Sequence, residues 1–146
     1  MVRGDRSRGR HSSDLLAHLP LFSGLPKRAL RRIRGAMEEY AFDRGQSLVQ
    51  EGKSGETFYV LIEGQVRVIR RGRTVARLLP GDFFGEMSVL DGGPRTATVQ
   101  AETPVRCLTL LRSEFVRILE TEPGVAVRVL MELTRRLRRL ERPLTG

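Results

Sequence analysis

The spacing of apolar positions along this chain changes twice. Leu30, Ile33 and Met37 recur at the three- and four-residue intervals of one helix face. Between residues 38 and 111 the apolar positions gather in short runs rich in Val, Ile, Thr, Tyr and Phe, separated by glycine-containing turns. After residue 112 the helical interval returns. The pattern predicts helices, then a stretch of strands, then helices again.

The central stretch predicts eight short strands, over residues 39–42, 47–50, 57–62, 65–70, 74–78, 83–84, 96–101 and 105–110. Turn signals about every 8 to 12 residues favour an antiparallel sandwich or jelly roll over alternating strand–helix–strand units. Small apolar and long charged side chains nearly alternate in residues 66–68 and 75–78, which gives those strands one interior face. The expected fold class is mainly β: an eight-stranded antiparallel jelly roll (β-roll) over residues 38–111, with flanking helices.

The flanking helices fall into two pairs. The first pair, within residues 13–37, is a short helix over residues 14–19 and a second that begins near Pro26, whose fixed φ suits a first turn. The second pair, within residues 113–141, is a helix capped by Ser113 and a final helix that begins at Pro123. An apolar stripe follows the final helix at Val127, Leu130, Leu133 or Thr134, Leu137 and Leu140. It must pack on the roll, on a partner, or on each in turn.

Length and composition add a basic tail to this single domain. The chain has 146 residues, of which 40% are apolar, enough for one domain of ordinary size. Residues 1–12 have almost no apolar content and predict a disordered tail, and residues 13–146 form the domain. The net charge is +9, and 24 of the 26 basic residues are arginines, clustered at 3–10, 27–34 and 135–142. We assign these clusters to solvated helix faces and the tail rather than to a nucleic-acid interface.

Several kinds of protein are excluded by what the chain lacks. No apolar run approaches the roughly 20 residues of a transmembrane helix, so cytoplasmic residence is expected. The single cysteine, Cys107, can form neither an internal disulfide nor a multi-cysteine zinc site, and reads as a small buried side chain. His11 and His18 are the only histidines, and both precede the roll, which excludes metal enzymes with histidines on inner strands. We expect no catalytic residues, no metal and no cofactor.

The chemistry concentrates between residues 81 and 99. A strand ends at Gly85, which permits close backbone approach, and one helical turn follows, whose first N–H groups form an anion site. The next loop returns the chain so that Arg95 can place its guanidinium on the same anion. Glu86 suits a different task, because its carboxylate can accept hydrogen bonds from neighbouring hydroxyls. An anion and a hydroxyl acceptor inside a roll lined with small aliphatics suit a ribose phosphate that carries an apolar base.

Residues Phe84–Ala97 resemble the phosphate-binding cassette of the cyclic nucleotide-binding domain family, without a gap. We call them the cassette. The family includes the catabolite activator protein, kinase regulatory subunits and nucleotide-gated channels. An upstream glycine signature agrees, with Gly52, Gly55 and Gly64 around the run Phe58–Leu61, although Lys53 stands where an acidic or amide residue is usual. The similarity extends from about residue 15 to residue 140.

The resemblance implies a role for each matching position. Arg95 would pair with the cyclic phosphate, helped by the backbone N–H groups of Ser88 and Ala97. Glu86 and the backbone of Gly85 would hold the ribose 2′-hydroxyl. Thr96 would place its hydroxyl near the phosphate and the purine edge. Two further sets are implied: a base wall of Val68, Val75, Ala76 and Leu78, and a lid of Arg136 and Leu140 on the last helix.

Three functions follow from these expectations. The first is a cytoplasmic, non-enzymatic sensor that binds a cyclic mononucleotide and whose C-terminal helix responds, with a homodimer or a protein partner on that helix. The second is a truncated transcriptional regulator of the catabolite activator type; direct DNA binding by these residues is not expected, because such regulators need a helix-turn-helix after the long helix. The third is a regulatory module of an enzyme or channel. We favour cAMP as ligand, with cGMP as the alternative because Thr96 could accept the guanine amino group.

Overall fold

The computed structural model describes residues 3–4 and 13–141, and it follows the helix–strand–helix order of the apolar pattern. The tail expected over residues 1–12 lies outside the described residues, apart from the two that form the first strand. The elements are β1 (Arg3–Gly4), α1 (Ser13–Ala17), α2 (Lys27–Ala36), β2 (Glu38–Phe42), β3 (Ser47–Val49), β4 (Thr57–Glu63), β5 (Val66–Arg70), β6 (Arg73–Leu78), β7 (Phe83–Phe84), α3 (Glu86–Asp91), β8 (Thr98–Ala101), β9 (Val105–Leu111), α4 (Arg112–Thr121) and α5 (Pro123–Leu140).

The strands form two antiparallel sheets, which confirms the mainly β, antiparallel roll with flanking helices. One sheet has the order β1-β2-β9-β4-β7 and the other the order β3-β8-β5-β6. All eight predicted strands are present, and β1 pairs with β2 as a ninth. Non-consecutive neighbours such as β9 beside β4 show that the chain crosses repeatedly between the two layers.

The central strands β4 and β9 of the first sheet are buried on both faces. Phe58, Val60 and Leu108 pack with the helices in one apolar cluster, whereas Leu61 and Cys107 pack with the second sheet in another. Strand neighbours point to opposite faces, so a strand covered on both sides needs a continuous apolar run. This explains the uninterrupted sequence Phe58–Ile62 in β4.

The helix ends and faces differ from the sequence expectation in two places. Leu111, not Ser113, occupies the N-cap position of α4, and no side chain caps that helix, because the helix begins directly at the end of β9. On α5, the buried residues are Val125 and Val129, with Leu133 packed beside them, whereas Val127, Leu130 and Leu137 of the predicted stripe are exposed. A shift of two residues is a rotation of about 200° around a helix. The core therefore packs on a side of α5 that includes Leu133, and most of the predicted stripe faces away from it.

Candidate functional site

The turn from β7 into α3 is a sharp corner built on Gly85. Its φ of 88° lies in the left-handed region, which favours glycine. A Cβ at this position would lie 2.7 Å from the carbonyl oxygen of Thr57 and 2.9 Å from Nη1 of Arg95. Phe84, just before the corner, stacks on Tyr59 with ring centroids 4.7 Å apart. An added side chain would therefore clash both with the backbone of β4 and with Arg95, so this position requires glycine.

Arg95 is 6% exposed and points its guanidinium into this corner. It donates to the carbonyl oxygens of Gly85 at 3.2 Å and Thr57 at 3.0 Å. Burial lowers the pKa of Arg95 from its usual value, and the charges of Tyr59 and Glu86 oppose that change. Within the described part of the chain its hydrogen-bond acceptors are neutral carbonyls, so the cationic charge is not matched by a direct carboxylate contact.

The loop between β3 and β4 holds the backbone of Arg95 from the other side. Gly52 donates its N–H to the carbonyl of Arg95, and Arg95 donates its N–H to the carbonyl of Lys53, both at 2.8 Å. A Cβ at Gly55 would lie 2.6 Å from Nε of Arg95, so glycine leaves room for the guanidinium. Since Lys53 contributes its backbone carbonyl to this contact, the unusual side chain at position 53 leaves the arrangement intact.

Glu86 is the first residue of α3 and is 5% exposed. Burial raises the pKa of its carboxyl group, and Arg136 and the backbone N–H groups of residues 86 and 87 oppose the rise. Arg136 Nη1 lies 3.2 Å from Glu86 Oε1. The corner thus presents a buried cation and a buried carboxyl group on the two sides of Gly85, which suits a ligand with one anionic and one hydroxyl-bearing part.

Arg136 connects the final helix to this corner with two of its guanidinium nitrogens, and the third binds a residue of the same helix. Beside its contact with Glu86, Nη2 donates to the carbonyl oxygen of Phe83 at 2.6 Å and Nε to Glu132 at 3.0 Å. The guanidinium carbon also lies 4.6 Å from the centroid of the Phe83 ring, a cation–π contact. Motion of α5 and the environment of Glu86 are therefore physically linked.

The remaining predicted residues are distributed unevenly. Ser88 and Ala97 are buried in the cassette, whereas Thr96 is exposed and its Oγ1 lies 4.0 Å from Met87 Sδ. In the predicted base wall, Val68 pairs with Ala76 across β5 and β6, and Leu78 is buried.

Two of the residues predicted to contact the ligand, one in the base wall and one in the lid, are exposed. Val75 is 57% exposed beside the register shift between β5 and β6, and it lines a surface cavity of about 560 Å³ with Arg70, Arg71 and Arg73. Leu140 is 72% exposed at the end of α5, one turn beyond Arg136. Its part in a lid stays a prediction.

Sequence reasoning missed the contributions of Glu132, Thr57 and Tyr59. Glu132 carried a usable signal, because a glutamate four residues before an arginine on a helix forms an ion pair. Thr57 contributes its backbone carbonyl oxygen, and because every residue has one, the residue type gives no sign of this role.

Among the described residues, no cluster of side chains suits a metal ion, and no helix is long and apolar enough to cross a membrane. Cys107 is buried in the roll, which raises the pKa of its thiol.

Comparison with known proteins agrees with this geometry. The family model for the cyclic nucleotide-binding domain matches residues 39–122. The CRP-like cAMP-activated global transcriptional regulator of Mycobacterium tuberculosis is 32% identical over 131 residues, which cover 86% of this chain and 58% of that protein. The cAMP-dependent protein kinase regulatory subunit of Eremothecium gossypii is 37% identical over 107 residues, which cover 73% of this chain and 23% of that protein.

Solved structures lead to the same family. The catabolite activator protein of Thermus thermophilus superposes with a TM-score of 0.76 at 33% identity, covering 84% of this chain and 60% of that chain. This chain therefore spans less than two thirds of each of these three relatives. The family model, the sequence relatives and the fold agree, and the chain belongs to the cyclic nucleotide-binding domain family.

Proposed function

We propose that this chain is a cytoplasmic, non-enzymatic sensor of a cyclic mononucleotide, cAMP ahead of cGMP, and that its final helix responds to the ligand. The observation that carries the proposal is the buried pair at the Gly85 corner. Arg95 and Glu86 are both nearly inaccessible to solvent, yet they make no ion pair with each other. A buried charge is costly when it is not compensated. Glu86 is already paired with Arg136, whereas the hydrogen bonds of Arg95 among the described residues go to neutral carbonyls. A ligand that brings a phosphate to Arg95 compensates its charge, and a hydroxyl of the same ligand can donate to Glu86.

The phosphate belongs on the Arg95 side of the corner. Arg95 would exchange part of its hydrogen bonding to carbonyls for charge-assisted hydrogen bonds to a phosphate oxygen, which are shorter and stronger. The N–H groups of Ser88 and Ala97, both buried residues of the cassette, would donate to the same group. No metal or cofactor enters this assignment.

The ribose belongs on the Glu86 side. A carboxylate accepts hydrogen bonds through both oxygens, and Arg136 binds Oε1. The 2′-hydroxyl would donate to the carboxylate, and the backbone of Gly85 would assist. Val68, Ala76 and Leu78 would pack against the base, with Val75 and Thr96 at its exposed edge. The names of two relatives support cAMP, since one is described as cAMP-activated and the other as a subunit of a cAMP-dependent kinase.

The response of α5 would pass through Arg136, which contacts both the ribose-binding carboxylate and the carbonyl of Phe83. A ligand shifts a conformational equilibrium only through its different affinity for the two states. A ligand hydroxyl that donates to Glu86 would share this carboxylate with Arg136. Because Arg136 belongs to α5, the ligand can alter the position of that helix. Its exposed stripe would then bind a protein partner or a second copy of the chain.

Titration calorimetry with cAMP and cGMP tests the proposal directly. We expect saturable 1:1 binding of both, with cAMP the tighter ligand. A titration in which neither nucleotide binds would overturn the sensor function, and a tighter fit for cGMP would overturn only the choice of ligand.

A second candidate function is regulation of transcription as part of a longer chain. The observation that favours it is the 32% identity with the CRP-like regulator over 86% of this chain. The length of the natural open reading frame distinguishes the two candidates: a helix-turn-helix pattern after residue 146 would favour the regulator.

A further inference from the structure

Glu132, one turn before Arg136 on α5, has contacts that the proposed ligand site does not explain. Its carboxylate accepts hydrogen bonds from Arg136 Nε and Arg135 Nη1, both at 3.0 Å, and lies 3.6 Å from Arg139 Nη2. It is only partly exposed, whereas Arg135 and Arg139 are mostly exposed. One carboxylate therefore gathers three arginines at the point where α5 approaches the cassette.

Glu132 and Glu86 bind different nitrogens of the same guanidinium. Nε of Arg136 donates to Glu132, and Nη1 donates to Glu86. A guanidinium is planar and its N–H donors have fixed directions, so the bond that fixes Nε also determines where Nη1 and Nη2 point. The two carboxylates thus cooperate on Arg136 and do not compete for it.

We propose that Glu132 is a positioning residue for the ribose-binding carboxylate: it orients Arg136, and Arg136 holds the buried Glu86 carboxyl group in its place at the ligand site. The ligand part of this inference rests on the proposed function. The chain of contacts from Glu132 through Arg136 to Glu86 is a property of the ligand-free protein and can be tested without a nucleotide.

Removal of Glu132 has a defined physical consequence. Arg135, Arg136 and Arg139 would then repel one another without a shared anion, and Arg136 would regain rotamers that point away from Glu86. Among the described residues, the charged groups that act on Glu86 are Arg136 from α5 and Arg95 across the Gly85 corner. Burial raises the pKa of Glu86, and Arg136 is the main side chain opposing that rise. A displaced Arg136 should therefore leave Glu86 with a still higher pKa.

The first experiment measures the pKa of the Glu86 carboxyl by 13C NMR titration in the ligand-free full chain. We expect a higher pKa in Glu132→Ala and a value close to wild type in Glu132→Gln, whose amide oxygen can still accept from Arg136 Nε. The control is Glu122→Ala, which removes the 3.2 Å ion pair between Arg32 and Glu122 next to the start of the same helix. An unchanged pKa in Glu132→Ala, or an equal rise in the control, overturns the proposal.

The second experiment compares the affinities of cAMP and 2′-deoxy-cAMP by calorimetry. We expect Glu132→Ala to weaken cAMP by about tenfold, comparable to one weakened charge-assisted hydrogen bond, and to leave 2′-deoxy-cAMP nearly unchanged. In an Arg136→Ala background, Glu132→Ala should have no further effect. Equal losses for both nucleotides, or additive losses with Arg136→Ala, contradict a positioning role. If wild type binds neither nucleotide, the proposed function fails, and the NMR titration alone decides the role of Glu132.

Discussion

Arg95 is a buried cation whose described hydrogen bonds go to neutral acceptors, which makes it sensitive to an incoming anion. We predict that Arg95→Ala reduces cAMP affinity by about 2 to 5 kcal/mol, the range for removing one partner of a buried charge pair. The ligand-free stability should fall less, because only two hydrogen bonds to carbonyls are lost. Arg112→Ala, an exposed arginine beside Gly92, is the control and should bind cAMP like wild type. Calorimetry that finds equal affinity for Arg95→Ala and wild type would remove Arg95 from the site.

A comparison of Gly85 with Gly72 distinguishes two reasons why a position requires glycine: a left-handed backbone and a lack of space for a side chain. Both have a positive φ, 88° and 78°, but only Gly85 has atoms where a Cβ would lie; at Gly72 nothing lies within 4 Å. Gly72→Ala should cost about 1 to 2 kcal/mol for the left-handed backbone. Gly85→Ala should cost about 1 to 3 kcal/mol more, because the added methyl group overpacks against Thr57 and Arg95, and it should also weaken cAMP. Urea-induced unfolding measures both, and equal costs would contradict the role of close packing at Gly85.

The raised pKa of Glu86 gives ligand binding a pH dependence. An ionised carboxylate is the better acceptor for the 2′-hydroxyl, so affinity should be full above the pKa of Glu86 in the free protein and decline as pH falls through it. Since burial raises that pKa, the decline should begin above the pH at which an ordinary glutamate titrates. Calorimetry from neutral to mildly acid pH checks this expectation. Glu86→Gln, with no carboxyl group, should bind more weakly and lose this pH dependence; an identical pH profile would refute the assignment.

At the scale of elements, α5 is the helix that the ligand should affect. Val125 and Val129 anchor its beginning in the core, and Arg136 attaches its second half to the cassette through Glu86 and Phe83. We predict that saturation with cAMP changes hydrogen-exchange protection over residues 124–140, and that Arg136→Ala reduces both the change and the affinity. Leu140→Ala tests the predicted lid, because this side chain is exposed without ligand and should matter only when a base is bound. Unchanged exchange across α5 on saturation would leave a passive nucleotide binder.

The accuracy of the sequence predictions depended on the kind of signal that each element carries. The strands were predicted well because a strand's apolar pattern and the glycines of its turns lie within the same short segment of sequence. The predicted bounds of β4 and β7 agree with the structure to within one residue. The sequence left open what the α5 stripe packs against, because both sides of that helix carry apolar residues, and only the position of the core selects Val125 and Val129. Likewise the carbonyl of Thr57, which binds Arg95, is a backbone group 38 residues away and has no signature in the side chain.

At the scale of the whole molecule, the site lies where two apolar cores meet. Phe83 packs in the core shared with the helices, and its neighbour Phe84 packs inside the roll. Successive residues of a strand point to opposite faces, so this two-residue strand bridges both cores just before Gly85. A ligand bound at the corner can therefore affect the roll through Phe84 and the helices through Phe83 and Arg136.

The exposed side of α5 leads to the last prediction, which concerns assembly. Its large apolar side chains Val127, Leu130, Met131, Leu137 and Leu140 are all exposed. Val127, Leu130 and Leu137 are separated by three and by seven residues, so they lie on one side of the helix, as the residues of a seam between two paired helices do. We predict a dimer in solution with this stripe at its centre, seen as a concentration-dependent mass in sedimentation equilibrium. Leu130→Glu should yield monomers, because dimer formation would bury the new charge.

The control for assembly is Leu79→Glu, since Leu79 is also an exposed leucine but lies just after β6. It should leave the dimer intact. If α5 moves when cAMP binds, the dimerisation constant must differ between the free and the saturated protein. Because the dimer has two sites, the cAMP affinity per site must differ between monomer and dimer by the square root of that factor. A wild-type chain that stays monomeric at all concentrations, with and without cAMP, would leave the stripe to a different protein partner.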